Sequence, residues 1–143
     1  TNKQQIDSII KLIKQNVGKI NGEKIAVLGI AFKPETDDIR DSASVELVNR
    51  LVKLGGKISI HDPKAIENAR KIFRDKVKYI KSVSAVVKDC NCAVIMTAWN
   101  EYKKINNESI KHMNTKFIID SKRIVSNKNL NAKYFAIGLG QKL

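Results

Sequence analysis

Residues 92–97 and 116–119 read as strands of unbroken apolar character, and 24–30 as a third buried strand. A strand with one face in water alternates polar and apolar residues, whereas a continuous apolar run must be covered on both faces, as in a parallel sheet. Helix-period segments separate the strands. Residues 42–54 place Leu47, Val48 and Leu51 on one face and stop at Gly55-Gly56, and 64–73, 82–88 and 108–113 form shorter helical stretches. Strands at 57–61, 77–80 and 133–137 complete the alternation. The expected fold class is α/β: a doubly wound, mostly parallel sheet in three α/β/α layers. An extra N-terminal helix precedes it, with Ile6, Ile9, Ile10, Ile13 and Val17 forming one apolar stripe. In such a sheet a ligand lies beyond the carboxyl ends of the strands, at the topological switch point.

A length of 143 residues admits one compact domain. The formal charge of +13 comes from 27 Lys+Arg against 14 Asp+Glu, and Arg accounts for only 5 of the cations. The lysines are dispersed and form no tract, and Arg, the usual reader of bases, is scarce; nucleic acid is not the expected partner. No apolar run approaches the roughly 18–20 residues that cross a bilayer, so no membrane span is expected. The chain opens Thr1-Asn2-Lys3 without an initiator Met or a hydrophobic leader, which points to a piece excised from something longer. Cys90 and Cys92 are too few for a disulfide framework and too close along one strand to pair, as suits a reducing cytoplasm. Neither histidine, His61 or His112, completes a metal-ligand set with them, so no metal is expected. Lying at the amino end of their strand, they are not nucleophile candidates either.

The connection after 24–30 carries the most information. A dinucleotide fingerprint G-x-G-x-x-G starting at Gly29 would need two further glycines, but the chain offers Gly29-Ile30-Ala31-Phe32-Lys33-Pro34. The sheet is thus Rossmann-like without a self-sufficient site for NAD. About eleven residues precede the next helix, against the usual 2–6, which marks a binding loop. Four acids, Glu35, Asp37, Asp38 and Asp41, crowd into it. Their plain reading is local: they complement the helix dipole, Asp41 or Ser42 caps the helix, and Arg40 pairs with an acid. Lys33 and Arg40 sit where a cation at a strand's carboxyl end can instead meet phosphate. At the other strand ends, His61 reads as a turn residue and Trp99 as packing with a modest opening for a ligand role.

The stretch Val27-Leu28-Gly29-Ile30-Ala31-Phe32-Lys33-Pro34-Glu35-Thr36-Asp37-Asp38-Ile39-Arg40-Asp41-Ser42 closely resembles the G-x-A-F-K-P-x-T-D-D-x-R-x-S signature that opens the C-terminal domain of the UDP-glucose/GDP-mannose dehydrogenase family. His61-Asp62-Pro63, the segment from Val94 to Glu101 through Trp99, Asp120-Ser121-Lys122-Arg123 and Gly138 fit later family motifs. The resemblance implies a role in a cytoplasmic enzyme of polysaccharide biosynthesis that oxidises the C6 alcohol of a nucleotide sugar in two NAD-dependent steps, through an adduct on a cysteine. It further implies that residues 1–22 are the linker helix of a preceding domain and 23–143 the UDP-binding domain. NAD would then be held mainly by a missing N-terminal domain, with a missing central domain making the full enzyme a homo-oligomer. Carried over by position, Phe32 and Lys33 contact the sugar nucleotide and Arg40 reaches NAD. Lys122 takes the place of a nucleotide-contacting Arg, without its bidentate fork. No catalytic residue is expected here, because the family's G-G-S-C-F motif is missing, so the chain alone should be inactive. The Pro34 that follows Lys33 favours UDP-glucose; UDP-N-acetylmannosamine, GDP-mannose, or a free-standing non-catalytic nucleotide-binding module are the alternatives.

Overall fold

The structure, a computed structural model, describes residues 2–137. Six strands form one sheet: β1 (Lys24–Leu28), β2 (Lys57–His61), β3 (Lys78–Tyr79), β4 (Cys92–Ile95), β5 (Phe117–Asp120) and β6 (Lys133–Ala136), in the order β3-β2-β1-β4-β5-β6. Every pairing is parallel. The expected "mostly parallel" sheet is therefore wholly parallel, because every connection between its strands is a crossover and none is a hairpin. Strands β4 and β5 are buried along their whole length, as their apolar runs require, and the sheet is covered on both faces.

The crossovers carry α2 (Ala43–Lys53), α3 (Ile66–Phe73), the short α4 (Val83–Val86), and two single-turn helices, α5 (Asn100–Lys103) and α6 (Asn107–Ile110). Ser42 is the cap of α2: its side chain accepts from the Ser44 amide at 3.2 Å. Asp41 does not cap; it sits one residue outside with φ 56°. The stretch 108–113, read as one helix, is shorter, and α5 was not anticipated. Four-residue helices bury too few positions to leave a period in the sequence, and caps such as Asn106, bonded reciprocally with Ser109, fix them instead.

Helix α1 (Asn2–Val17) buries Ile6, Ile9, Ile10, Leu12 and Ile13 and packs on α2. An ion pair of 2.5 Å between Arg50 and Asp7 crosses the same contact. These isoleucines belong to one continuous core with Leu47, Leu51 and the strands, so α1 is physically part of this fold. No helix among the described residues is long and apolar enough to cross a membrane.

Candidate functional site: the switch point between β1 and β4

The chain runs outward from β1 to β3, then returns to place β4 on the other side of β1. The crevice beyond the carboxyl ends of β1 and β4 is the switch point. There Gly29 has φ 98°, and a Cβ on it would stand 2.5 Å from the Thr97 Cβ. Only glycine allows this approach. The fully buried Thr97 donates from Oγ1 to the Ala31 carbonyl at 2.8 Å, fastening the loop after β1 to the end of β4.

A buried carboxylate organises the crevice. Asp62 Oδ2 accepts from the amides of Ile30 and Ala31 at 2.8 and 2.9 Å and from the Trp99 indole at 3.2 Å. Its Oδ1 accepts from the amides of Lys64 and Ala65 at 2.9 and 2.8 Å, where the chain turns towards α3. One side chain thus ties together the segments that follow β1, β2 and β4. Asp120, fully buried at the end of β5, repeats the device: Oδ1 accepts from the Lys122 amide, and Oδ2 from the amides of Ile124 and Val125 and from the Tyr134 hydroxyl. Burial and the neighbouring Asp120 carboxylate push the Tyr134 hydroxyl well above the usual phenol range. Sequence reasoning found both aspartates only as members of motifs. The signal available was an acid at or just beyond the last residue of an apolar strand, where only a hydrogen-bonded carboxylate can be buried.

Asp62 also decides what the first turn can hold. In a dinucleotide-binding fold the amides after the first strand are left open for a diphosphate. Here the Asp62 carboxylate already takes those of Ile30 and Ala31. A second anion there would meet a buried negative charge, so the residues present do not fit NAD in that position.

With its first amides held by Asp62, the loop presents side chains outward. Its Phe32 amide donates to the Asp38 carbonyl at 2.7 Å, closing a compact turn through Glu35 at φ 65°. Phe32 is 55% exposed, unusual for so large an apolar side chain. Lys33 beside it and Lys122 after β5 are both exposed, and neither ammonium has a hydrogen-bond or ion-pair partner among the described residues. Since β1 and β5 flank β4, the fold brings Phe32, Lys33 and Lys122 to the same edge of the sheet, one strand apart.

Arg40 belongs to the same turn, since it and Lys33 both act on Asp38. It shares a cleft with Asn68, Lys71 and Ile72 of α3, and its guanidinium holds Asp38 through Nε and Nη2 at 2.8–3.2 Å while remaining 87% exposed. The Arg40 hydrogen bonds hold the Asp38 carboxyl down to about 2. The acid that pairs with Arg40 is therefore Asp38, and the guanidinium is propped outward, away from its own core.

His61 is 2% exposed, with Nδ1 2.7 Å from the Tyr102 hydroxyl and Nε2 3.7 Å from Glu101. Burial lowers its pKa, and it faces the interior instead of the crevice. Trp99, 4% exposed and bonded to Asp62, is packing. Cys90 and Cys92 are buried; burial pushes the Cys90 thiol up to about 11 and the Cys92 thiol higher still. The motif position Gly138 lies outside the described residues.

Comparison with known proteins accords with this geometry. Residues 26–127 match the UDP-glucose/GDP-mannose dehydrogenase family, UDP binding domain. The chain is 32% identical over 142 residues to the UDP-glucose 6-dehydrogenase TuaD of Bacillus subtilis, covering 96% of this chain and 31% of that protein. It is 36% identical over 115 residues to a UDP-glucose 6-dehydrogenase of Rhizobium meliloti, covering 80% and 26%. A UDP-glucose dehydrogenase structure from Pyrobaculum islandicum superposes with a TM-score of 0.82 at 29% identity, over 94% of this chain and 29% of that one. The chain thus spans 26–31% of the length of these relatives. With the matched region covering most of the sheet and the whole switch-point loop, the chain belongs to the UDP-glucose/GDP-mannose dehydrogenase family, in the part that is its UDP-binding domain.

Proposed function

We propose that this chain is the C-terminal, UDP-sugar-binding domain of a cytoplasmic UDP-glucose 6-dehydrogenase that converts UDP-glucose to UDP-glucuronate with two NAD. Residues 1–22 would be the end of a linker helix, and 23–143 the binding domain. What supports the reading is that the exposed Phe32 and Lys33, after β1, and the exposed Lys122, after β5, all lie at the carboxyl edge of the sheet around β4. That is the chemistry of a phosphorylated ligand with an organic body. Lys33 and Lys122 supply point charges to the diphosphate, and Phe32 covers the nucleoside or sugar.

When bound, NAD would accept the two hydrides released as an alcohol becomes a carboxylate. It belongs on the missing N-terminal domain, because Asp62 blocks the position it would need here. Arg40, paired with Asp38 and 87% exposed, would meet that cofactor's diphosphate across a domain boundary. The buried, protonated Cys90 and Cys92 offer no thiolate for a covalent step, so the nucleophile too must come from the rest of the protein, whose central part would also form the homo-oligomer. UDP-glucose is favoured by Pro34 and by the names of the relatives compared above.

Calorimetric titration with UDP, UDP-glucose and GDP-mannose tests the reading. Saturable binding of the two uridine ligands, weaker for GDP-mannose and weakened about tenfold by Lys33→Ala, is expected. No binding of either uridine ligand at millimolar concentration, with tight binding of single-stranded RNA, overturns it.

A further inference from the structure

The opposite edge of the sheet carries a feature that the switch point does not explain. At the amino ends of β1, β2 and β3 lies a groove of about 460 Å³, within the roughly 300–1,000 Å³ of small-molecule sites. Lys24, Lys57, Lys76, Lys78 and Lys88 surround it. All five are exposed, and none forms an ion pair or side-chain hydrogen bond among the described residues. Asp75 and Asp89 are the other charged groups on its wall, and they too leave these lysines unpaired. The floor is apolar, with Ile58, Val77 and Val86.

The strand register makes this more than a dispersed positive surface. Lys24 and Lys57 are direct neighbours across the β1–β2 ladder. Strand spacing is about 4.8 Å, and like charges set directly opposite each other oppose pairing. A Glu at either position would relieve that repulsion, yet the chain keeps both lysines. Local rules of sheet stability are most often broken at functional sites, and a bound anion lying between two exposed ammonium groups would offset their repulsion.

We infer that this groove is a second anion site, for a nucleoside polyphosphate whose phosphates bridge the lysines of adjacent strands and whose ring lies on the apolar floor. A concave, apolar-floored groove suits a small molecule; a bilayer or a nucleic-acid rod would touch only its rim. The site faces away from the carboxyl edge, so its ligand does not compete with one bound at Lys33 and Lys122. The inference stands independently of the function proposed for that edge.

The test uses the intact natural protein, with UDP and NAD present at saturating concentration, titrated with ATP and with inorganic tripolyphosphate. Saturable binding of both is expected, ATP the tighter, and the double variant Lys24→Glu/Lys57→Glu should weaken it at least about tenfold while UDP affinity stays within about twofold. The single variant Lys57→Glu should weaken ATP and also raise the Tm by a few degrees, because it turns the Lys24 contact from repulsive to attractive. A site of this kind is overturned by no saturable binding at millimolar ATP, or by binding that the double variant leaves intact. Retention on anionic phospholipid vesicles or on single-stranded DNA, lost in the double variant while ATP does not bind, overturns it in favour of a membrane or nucleic-acid face.

Discussion

Asp62 Oδ2 lies 2.9 Å from the backbone nitrogen of Ala31, although the two residues belong to loops that follow different strands. The same oxygen also holds the Trp99 indole, so the crevice is shaped around an internal anion before any ligand arrives. Asp62→Ala would leave four buried or half-buried amides and an indole N–H without their acceptor. The expected loss is about 3 kcal/mol or more, since even one unsatisfied buried donor costs roughly 1–3. Urea unfolding measures it. Trp99 is the sole tryptophan, so its fluorescence reports the crevice directly and should shift to the red even in conditions where the variant is folded.

Gly29 presents a steric constraint at the same place. With φ at 98° and the Thr97 Cβ 2.5 Å from where its own would be, Gly29→Ala must both adopt a left-handed backbone and push β4 away. Overpacking of this kind costs about 1–3 kcal/mol and the backbone roughly 1–2 more. The variant should lower the denaturation midpoint sharply. An unchanged midpoint would mean that β1 and β4 separate easily and that the close approach is not structural.

Lys33 and Lys122 differ in what they can be replaced by. Both are exposed and form no hydrogen bond or ion pair among the described residues, Lys33 acting on Asp38 only at a distance, so their alanine variants should keep the parent Tm within about a degree. If they meet a diphosphate, each alanine variant weakens UDP about tenfold and flattens its salt dependence. Lys122→Arg adds a bidentate fork at no cost in charge and should bind UDP at least as well as the parent. Weaker binding by Lys122→Arg than by Lys122→Ala would remove Lys122 from the site.

The alternation of apolar runs with helical segments made the sheet, its parallel sense and the switch point readable in advance, because burial on both faces leaves an unmistakable trace in residue order. The loop after β1 was readable because it is long and its glycine pattern is broken. The tertiary wiring was not readable. That Asp62 serves three loops, that Asp38 and not Asp41 pairs with Arg40, and that His61 turns inward to Tyr102 depend on residues brought together from 2 to 41 positions apart. Spacing alone cannot choose among several acids for one arginine. Nor can it tell a strand-end histidine in a turn from one with a buried tyrosine beneath it.

Asp38 and Arg40 give a pair whose titration is open to inspection. The Arg40 hydrogen bonds hold the Asp38 carboxyl at about 2, below its ordinary 3.8. A carboxyl lowered in the folded state stabilises that state above its unfolded pKa, and the contribution disappears as pH falls through about 2. Carbon-detected NMR on the side chains should find Asp38 titrating near this lower value, and in Arg40→Ala it should return towards 3.8. The same substitution should leave UDP affinity within about twofold but raise the KM for NAD in the intact enzyme about tenfold. Equal loss of both ligands would refute a role for Arg40 towards NAD distinct from that of Phe32, Lys33 and Lys122.

His61 provides the pH dependence nearer neutrality. It is buried with Nδ1 2.7 Å from the Tyr102 hydroxyl, and burial lowers its pKa below the ordinary 6.5 despite the opposing charge of Glu101. A proton then binds the unfolded chain more readily than the folded one. Stability is complete above the unfolded value and declines as pH drops through 6.5 towards the folded value. Urea midpoints measured between about pH 8 and 5 should therefore fall on the acid side. In His61→Gln, which keeps a polar partner for Tyr102 but cannot take up a proton, the decline should vanish across that interval. If the slope survives the substitution, some other group carries it and the neutral, inward-facing His61 is not what links stability to pH.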